Sequence, residues 1–169
     1  IIVAEDDVGM NKLICRRLNR CGFTTLPCLN GKELIETYQR NTDALALVDY
    51  QLGDLSAPEA IARLREGGLQ PDFIIVTGHG DERIAVSMMK RGARDYIVKT
   101  PDFLDSLPDT VVRVAEKLAF EHRLRAKEDE LDEQRRRLEL ATDATDLGFF
   151  EFDGNTGIIS LSRKCAALF

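Results

Sequence analysis

Five polar side chains with complementary chemistry stand at the ends of short apolar runs: Glu5, Asp6, Asp49, Thr77 and Lys99. Carboxylates that are brought together repel one another unless a cation or proton intervenes, and hard oxygen ligands suit Mg²⁺. An Asp carboxylate can also attack a phosphoryl donor and form an acyl phosphate, provided that a metal ion and a fixed cation neutralise the transferring oxygens. We therefore expect Mg²⁺-dependent phosphoryl transfer to Asp49, with Lys99 as the fixed cation.

The elements that must position these side chains alternate along the chain. Apolar runs predict five strands, and helical patterns lie between them; the runs cover residues 1–4, 24–28, 44–48, 73–76 and 94–98. Asp7 and Asn30 are placed as helix N-caps, and Ser56 and Glu59 have the spacing of a capping box. Strict alternation with strands that are apolar on both faces predicts a doubly wound parallel α/β sheet.

In such a sheet, sites form outside the carboxyl ends of the strands. Each of the five polar side chains follows a predicted strand, so all five are expected at one edge of the sheet. A hydroxyl at Thr77 can turn to a phosphoryl oxygen only once that oxygen is present, so the loop after the fourth strand would gain a contact in the modified state. The same hydroxyl could instead satisfy a loop amide.

Four strings in order carry a family resemblance: IIVAEDD, ALALVDYQLGD, FIIVTG and ARDYIVK. Together they resemble the receiver (response-regulator) domain of two-component signalling over roughly residues 1–120, and we place the domain at 1–119. The resemblance implies a flavodoxin-like fold with strand order 2-1-3-4-5. It also implies that the domain receives phosphate from the phosphohistidine of a kinase or phosphotransfer protein.

The resemblance assigns roles residue by residue. Glu5 and Asp6 match the acidic pair that binds Mg²⁺ with the phosphoacceptor Asp49, and the backbone carbonyl of Gln51 would complete the metal sphere. Thr77 matches the switch hydroxyl, Tyr96 the switch aromatic and Lys99 the invariant lysine; no other cofactor is implied.

Two of these positions carry alternatives. An aromatic residue in a terminal strand, such as Tyr96, can be simply part of the core. Many receivers have a cis proline directly after the lysine, whereas Lys99 is followed here by Thr100 and then Pro101. A cis Lys99–Thr100 bond would cost about 3 kcal/mol, and the sequence leaves its geometry open.

The C-terminal third contains a long helical pattern, predicted to start near Asp109 and to continue to about residue 140. Leucines recur at every seventh position in a seam of apolar and polar residues, which comprises Phe120, Leu124, Lys127, Leu131, Gln134, Leu138 and Ala141. We expect a weak parallel coiled coil over 120–140 that makes the chain a homodimer; a single solvated helix is the alternative. Residues 141–169 resemble the opening of a PAS domain.

Composition restricts the remaining function classes. The 169 residues carry a net charge of −6, with Lys and Arg dispersed or mixed with acidic residues, so no nucleic-acid surface is expected. No apolar run is long enough to span a bilayer, and the four cysteines lack metal spacing, so we expect reduced thiols and a cytoplasmic location.

The chain looks like a piece of a longer protein. We expect a phosphoacceptor rather than a turnover enzyme, in a parent that ends in a histidine kinase or, alternatively, a diguanylate cyclase. A receiver-like interaction module that is never phosphorylated, and a phosphatase of similar fold, are the competing interpretations.

Overall fold

The structure is a computed structural model that describes residues 1–78, 82–144, 150–152, 154 and 156–161. His79, which the sequence predicts to be a solvated loop residue, lies outside these ranges. The chain divides into two compact units, Ile1–Lys117 and Leu118–Phe169. Within the described ranges, no helix combines the length and apolar character needed to cross a membrane.

The first unit is a parallel sheet with helices between its strands. The strands are β1 (Ile2–Ala4), β2 (Leu26–Cys28), β3 (Ala46–Asp49), β4 (Phe73–Thr77) and β5 (Asp95–Val98). The helices are α1 (Val8–Arg20), α2 (Gly31–Arg40), α3 (Ala57–Glu66), α4 (Glu82–Lys90) and α5, which runs from Phe103 to Ala144. The strands pair in the order β2-β1-β3-β4-β5 and every neighbouring pair is parallel, so the predicted fold class and strand order are confirmed.

The central strands are buried on both faces because helices cover both sides of the sheet. Every residue of β1, β3 and β4 is buried. Each fully buried Leu, Ile or Phe side chain stabilises the fold by about 1.5–3 kcal/mol. This burial fixes the direction of each central strand, and with it the place where each strand ends.

Helix starts are set by the capping residues that the sequence indicates. The Asp7 carboxylate accepts from the Met10 amide at 2.7 Å, and the Asn30 side chain accepts from the Glu33 amide at 2.8 Å. The Glu59 carboxylate reaches back to the Ser56 amide at 2.8 Å. The predicted caps are therefore confirmed, and those at Asp7 and Asn30 place the start of a helix just beyond the carboxyl end of a strand.

In each of the two edge strands, one backbone N–H group is either missing or already bonded to a side chain. β2 contains Pro27, which has no backbone N–H, and pairs on one side with β1. At the other edge, the Tyr96 amide of β5 donates to the neighbouring Asp95 carboxylate at 2.8 Å. The second carboxylate oxygen of Asp95 accepts from Arg113 of α5 at 2.6 Å.

The second unit contains the C-terminal part of α5 and two short strands. β6 (Phe150–Phe152) and β7 (Ile159–Leu161) pair in an antiparallel sheet. The PAS resemblance of 141–169 is not tested by this pair alone and stays a prediction.

Our expected start of α5 near Asp109 is wrong, because the helix begins at Phe103 and takes Pro108 into its second turn. A proline in this position lacks the N–H that would bond to the carbonyl four residues earlier, that of Leu104. Arg17 of α1 supplies the missing donor, since its Nε lies 3.2 Å from the Leu104 oxygen. Its guanidinium also pairs with Asp105 at 3.0 Å. A contact from another element thus allows the proline inside the helix.

Replacing Arg17 by Ala should lower the free energy of unfolding by about 1 kcal/mol, because the Leu104 carbonyl loses its donor. In a Pro108→Ala background the restored amide can bond to that carbonyl, so the same replacement should cost less. Urea unfolding of the four chains measures this double-mutant cycle. Arg16→Ala, an exposed neighbour on α1, is the control and should change stability by less than about 0.5 kcal/mol. Equal costs in the two backgrounds would contradict the account of Pro108.

Candidate functional site

The strand ends bring four of the five polar residues to neighbouring positions on one edge of the sheet. Ala4 pairs with Val48, so Glu5 and Asp49 directly follow paired residues on β1 and β3. On the other side, Thr77 pairs with Val98, and the amide of Lys99 then donates to the Thr77 carbonyl at 2.8 Å. The parallel register therefore produces the cluster, as the topology predicted.

Three carboxylates converge at this edge. Glu5, Asp6 and Asp49 each offer an oxygen, and these oxygens all lie within 4.8 Å of one another. Glu5 and Asp49 are buried, with 2% and 9% of their surface exposed, whereas Asp6 is exposed. The cluster is thus closed on its inner side and open to solvent at Asp6, which fits a cation that keeps part of its water shell.

Lys99 is the cation that the structure places among these carboxylates. Its Nζ lies 2.7 Å from Asp49 Oδ2 and 2.6 Å from Glu5 Oε2. The contact to Glu5 is close but lacks hydrogen-bond alignment, because Glu5 Oε2 is a buried atom with no hydrogen-bond partner among the described residues. This oxygen therefore still has the capacity to bind a further cation.

Among the residues that the structure describes, the charges at the site do not balance. Three carboxylates and one ammonium group give a net charge of −2, taken as −3 + 1. Burial raises the pKa of Glu5, and the charge of Asp49 raises it further, although Lys99 acts in the opposite direction. Burial of Lys99 by itself would lower the pKa of its ammonium group, but the hydrogen bond to Asp49 and the close charged contact with Glu5 outweigh burial and raise it. Lys99 is thus held charged, while the carboxylates still lack a matching positive charge.

A divalent ion with hard oxygen ligands fits this donor set. Glu5, Asp6 and Asp49 supply carboxylate oxygens, one of them buried without a hydrogen-bond partner, and an ion of charge +2 would cancel the excess negative charge. The predicted contribution of the Gln51 carbonyl stays a prediction. Gln51 itself follows Asp49 on the same loop and forms an isolated antiparallel bridge with Ser56.

The two predicted switch residues occupy different environments. Thr77 is the buried last residue of β4, one position beyond the partner of Asp49 in the register. Tyr96 is half-buried on β5 and packs against the core of the sheet. Packing against the core suits either a structural aromatic residue or one that changes position, so the switch role of Tyr96 stays a prediction.

The peptide bond between Lys99 and Thr100 is trans, since the residues described here contain no cis peptide bond. The Thr100 amide donates to the Val98 carbonyl at 2.8 Å, and the Thr100 hydroxyl bonds to Asp102 at 2.7 Å. Lys99 therefore reaches Asp49 and Glu5 without the cis geometry that the sequence left open.

Asn11 is a residue of the site that the sequence reasoning missed. It is buried on α1, and its amide nitrogen donates to the carbonyls of Val3, Glu5 and Cys28 at 3.2, 3.2 and 2.9 Å. The bonds tie the end of β1, where the acidic pair begins, to the end of β2. A polar residue on the same helix face as Ile14 and Leu18 is the signal that could have identified it.

Comparison with known proteins finds similar sequences over the part of the chain that contains this site. The family model for the response regulator receiver domain matches residues 1–107. The acid tolerance regulatory protein ActR of Sinorhizobium medicae is 27% identical over 118 residues, which cover 70% of this chain and 61% of ActR. The transcriptional regulatory protein SrrA of Staphylococcus aureus is 31% identical over 99 residues, which cover 59% of this chain and 41% of SrrA. The chain spans about half the length of the curated relatives that it matches.

Solved structures show the same fold. The signal receiver domain of a putative LuxO repressor protein from Vibrio parahaemolyticus superposes with a TM-score of 0.67 at 22% identity, covering 73% of this chain and 94% of that one. The structure of FixJ-N superposes with a TM-score of 0.61 at 24% identity, covering 68% and 91% of the two chains.

The family match covers more than half of the chain and contains the acidic cluster, Thr77 and Lys99. Receiver domains generally bind Mg²⁺ at an acidic pocket and interact with histidine kinases or phosphotransfer proteins. This chain belongs to the response regulator receiver domain family.

Proposed function

We propose that Asp49 accepts a phosphoryl group from the phosphohistidine of a partner kinase or phosphotransfer domain, in a reaction that requires Mg²⁺. The observation that carries this proposal is the convergence of Glu5, Asp6 and Lys99 on Asp49 at a buried edge of the sheet. Simple helix capping does not account for the cluster, since the capping role belongs to Asp7.

The residues that would hold the ion are Glu5, Asp6 and Asp49, with the Gln51 carbonyl as a further ligand. When bound, the ion neutralises negative charge on the transferring phosphoryl oxygens. Glu5 and Asp49 would hold it from the buried side, and exposed Asp6 from the solvent side, where the phosphoryl donor must approach.

The proposed step exchanges one phosphorus bond for another. An oxygen of the Asp49 carboxylate bonds to phosphorus while the bond from phosphorus to the histidine nitrogen breaks. The electron pair of that bond stays on the imidazole, which takes a proton from solvent. Lys99 already contacts Asp49 at 2.7 Å, so its ammonium group is placed to neutralise charge as the phosphoryl group arrives.

Phosphorylation would change the contacts of Lys99 and Thr77. The acyl phosphate replaces the charged carboxylate of Asp49, one of the two that Lys99 contacts, and its phosphoryl oxygens offer the Thr77 hydroxyl a new acceptor. A shift of the loop that follows Thr77, accompanied by Tyr96 on β5, would transmit the change to the surface. The output in the parent protein, a histidine kinase or alternatively a diguanylate cyclase, is an inference from architecture alone.

The segment 120–140 would join two copies of the chain. In α5 the large apolar members of the seam are exposed: Phe120, Leu124, Leu131 and Leu138 have 62%, 50%, 62% and 68% of their surface accessible. The polar member Lys127 pairs with Glu130 of its own helix at 2.7 Å, which offsets the charge it would bring to the seam.

Charge complementarity favours a parallel pair. In a parallel coiled coil the residues beside the seam form ion pairs between the helices. The leucines at every seventh residue share one seam position. In that register Arg123 of one copy faces Glu128 of the other, and Glu130 of one copy faces Arg135 of the other. Both contacts join opposite charges on exposed residues. A parallel homodimer could carry the state of the receiver, residues 1–119, along α5 to the segment 141–169, for which a PAS role stays a prediction.

Incubation with Mg²⁺ and acetyl phosphate should add the mass of one phosphoryl group to the chain. Asp49→Asn should abolish the addition, and Asp43→Asn, which replaces an exposed carboxylate, should leave it unchanged. Chelation of Mg²⁺ should prevent it. Intact-mass spectrometry gives the readout. An unmodified wild-type chain would favour the interaction-module alternative, and sustained release of phosphate over many turnovers would favour a phosphatase.

Lys99→Met should separate metal binding from phosphoryl transfer. Removing the ammonium group leaves three carboxylates without their cation, so the rise in unfolding temperature on addition of Mg²⁺ should be larger than in the wild type. The rate of phosphorylation should fall at least about tenfold, since a fixed cation at the transferring oxygens is lost. Lys12→Met on α1 is the matched control for both measurements. A smaller Mg²⁺ effect in Lys99→Met would contradict the charge balance described for the site.

Leu131→Glu should disrupt the proposed dimer, whereas Leu140→Glu should not. Both leucines are exposed to nearly the same extent, 62% and 63%, but only Leu131 lies in the seam. The dissociation constant of the dimer, measured by sedimentation equilibrium, should be at least about tenfold lower for the wild type than for Leu131→Glu. This ratio corresponds to about 1.4 kcal/mol. A wild-type chain that stays monomeric at high concentration, with and without beryllofluoride, would support the single solvated helix.

A further inference from the structure

The loop between β3 and α3 is fastened to a helix that is distant in sequence. Asp54 of this loop accepts two backbone hydrogen bonds from the start of α2, from the Gly31 amide at 2.6 Å and from the Lys32 amide at 3.1 Å. The first amides of a helix have no partner within it, and the positive end of the helix dipole favours an anion there. The Asp54 carboxylate therefore serves as a second cap of α2, beside Asn30.

The loop and the helix start are in close contact at this point. A Cβ atom added at Gly31 would lie 2.7 Å from the Cβ atom of Leu55, a distance at which something must shift. Within the loop, the Leu52 amide donates to the Leu55 carbonyl at 3.0 Å and the Asp54 amide to the Leu52 carbonyl at 2.7 Å. The segment 52–55 is thus a compact turn attached to α2.

The opposite side of the same turn faces one carboxylate of the acidic cluster, that of Asp6. Gly53 has a φ of +72°, and a Cβ atom added there would be 3.5 Å from Asp6 Oδ2. Asp6 is the exposed member of the three carboxylates, so burial restricts its side chain least. The turn therefore lies between the start of α2 and Asp6, whose position burial determines least.

We propose that Asp54 is a positioning residue for the acidic site: by fastening the turn to α2, it holds Gly53 against Asp6 and so sets the geometry in which the carboxylates bind Mg²⁺. The role of the ion in this inference rests on the proposed function. Asp54 acts through the turn, because its carboxylate bonds to the amides of Gly31 and Lys32 at the start of α2. Without its anchor, the turn would have to be ordered when the ion binds, at a cost in conformational entropy.

The charge state of Asp54 is compatible with this role. Desolvation acts to raise its pKa, but the amides of Gly31 and Lys32, together with amides of the turn itself, outweigh desolvation and lower the pKa. The carboxylate is therefore ionised at neutral pH and can accept both bonds.

Isothermal titration of the whole chain with Mg²⁺ tests the inference without any phosphoryl donor. Asp54→Ala removes both acceptors and should raise the Kd for Mg²⁺ about tenfold. This is the lower end of the loss in affinity that is typical when a residue supporting a metal ligand is replaced. Asp54→Asn keeps one acceptor without the charge and should recover a large part of the affinity. Glu59→Ala removes a different helix-capping carboxylate from the far end of the same loop, and should leave the Kd within about twofold of the wild type.

Each outcome of this titration decides between the anchor and simpler explanations. An unchanged Kd in Asp54→Ala, measured well below its unfolding temperature, would reduce Asp54 to a cap for α2 and overturn the inference. Equal weakening in Asp54→Asn and Asp54→Ala would assign the effect to the lost charge and likewise overturn it. A wild-type chain that binds no Mg²⁺ would overturn the proposed function as well, so the two failures are distinguishable.

Discussion

The charge imbalance at the carboxyl edge of the sheet is the constraint on which the rest of the receiver unit depends. Glu5, Asp6 and Asp49 are held together with a single ammonium group, that of Lys99. Collecting like charges in a partly buried place is unfavourable, so the arrangement persists only because rigid elements impose it. Buried strands fix the ends of β1 and β3, and Asn11 ties the end of β1 to that of β2. The energy of packing in the core thus maintains a cluster of carboxylate oxygens that suits a divalent ion.

Much of this site could be predicted from the sequence because it depends on periodicity and topology. Apolar runs locate the strands, and in a parallel sheet the residue after each run lies at a known edge. Asp49 and Thr77 follow from that rule alone. The caps at Asp7 and Asn30 were predictable for a related reason, since a helix cap depends on residues only a few positions apart. Structural features that depend on residues close in the chain, or on residue types that recur with a fixed period, can thus be predicted from a single sequence.

The features that the sequence did not reveal involve contacts between distant residues. Asp54 bonds to the start of α2 across 23 positions, and nothing in the string around either residue indicates the pairing. The start of α5 was misplaced by six residues because a proline normally marks the first turn of a helix, whereas Pro108 lies in the second turn, where Arg17 of α1 donates to the Leu104 carbonyl. Asn11 stands between these cases, since a polar residue among apolar ones hints at a buried partner without identifying it.

The edges of the sheet bear on how copies of this protein can associate. A strand at the rim of a sheet can recruit a strand from another molecule and so begin the ordered aggregation that leads to fibrils. Pro27 removes a donor from one rim, and Asp95 occupies the Tyr96 amide on the other. Both rims are therefore poor templates for growth. At high concentration, the sheets of separate copies should therefore resist pairing edge to edge.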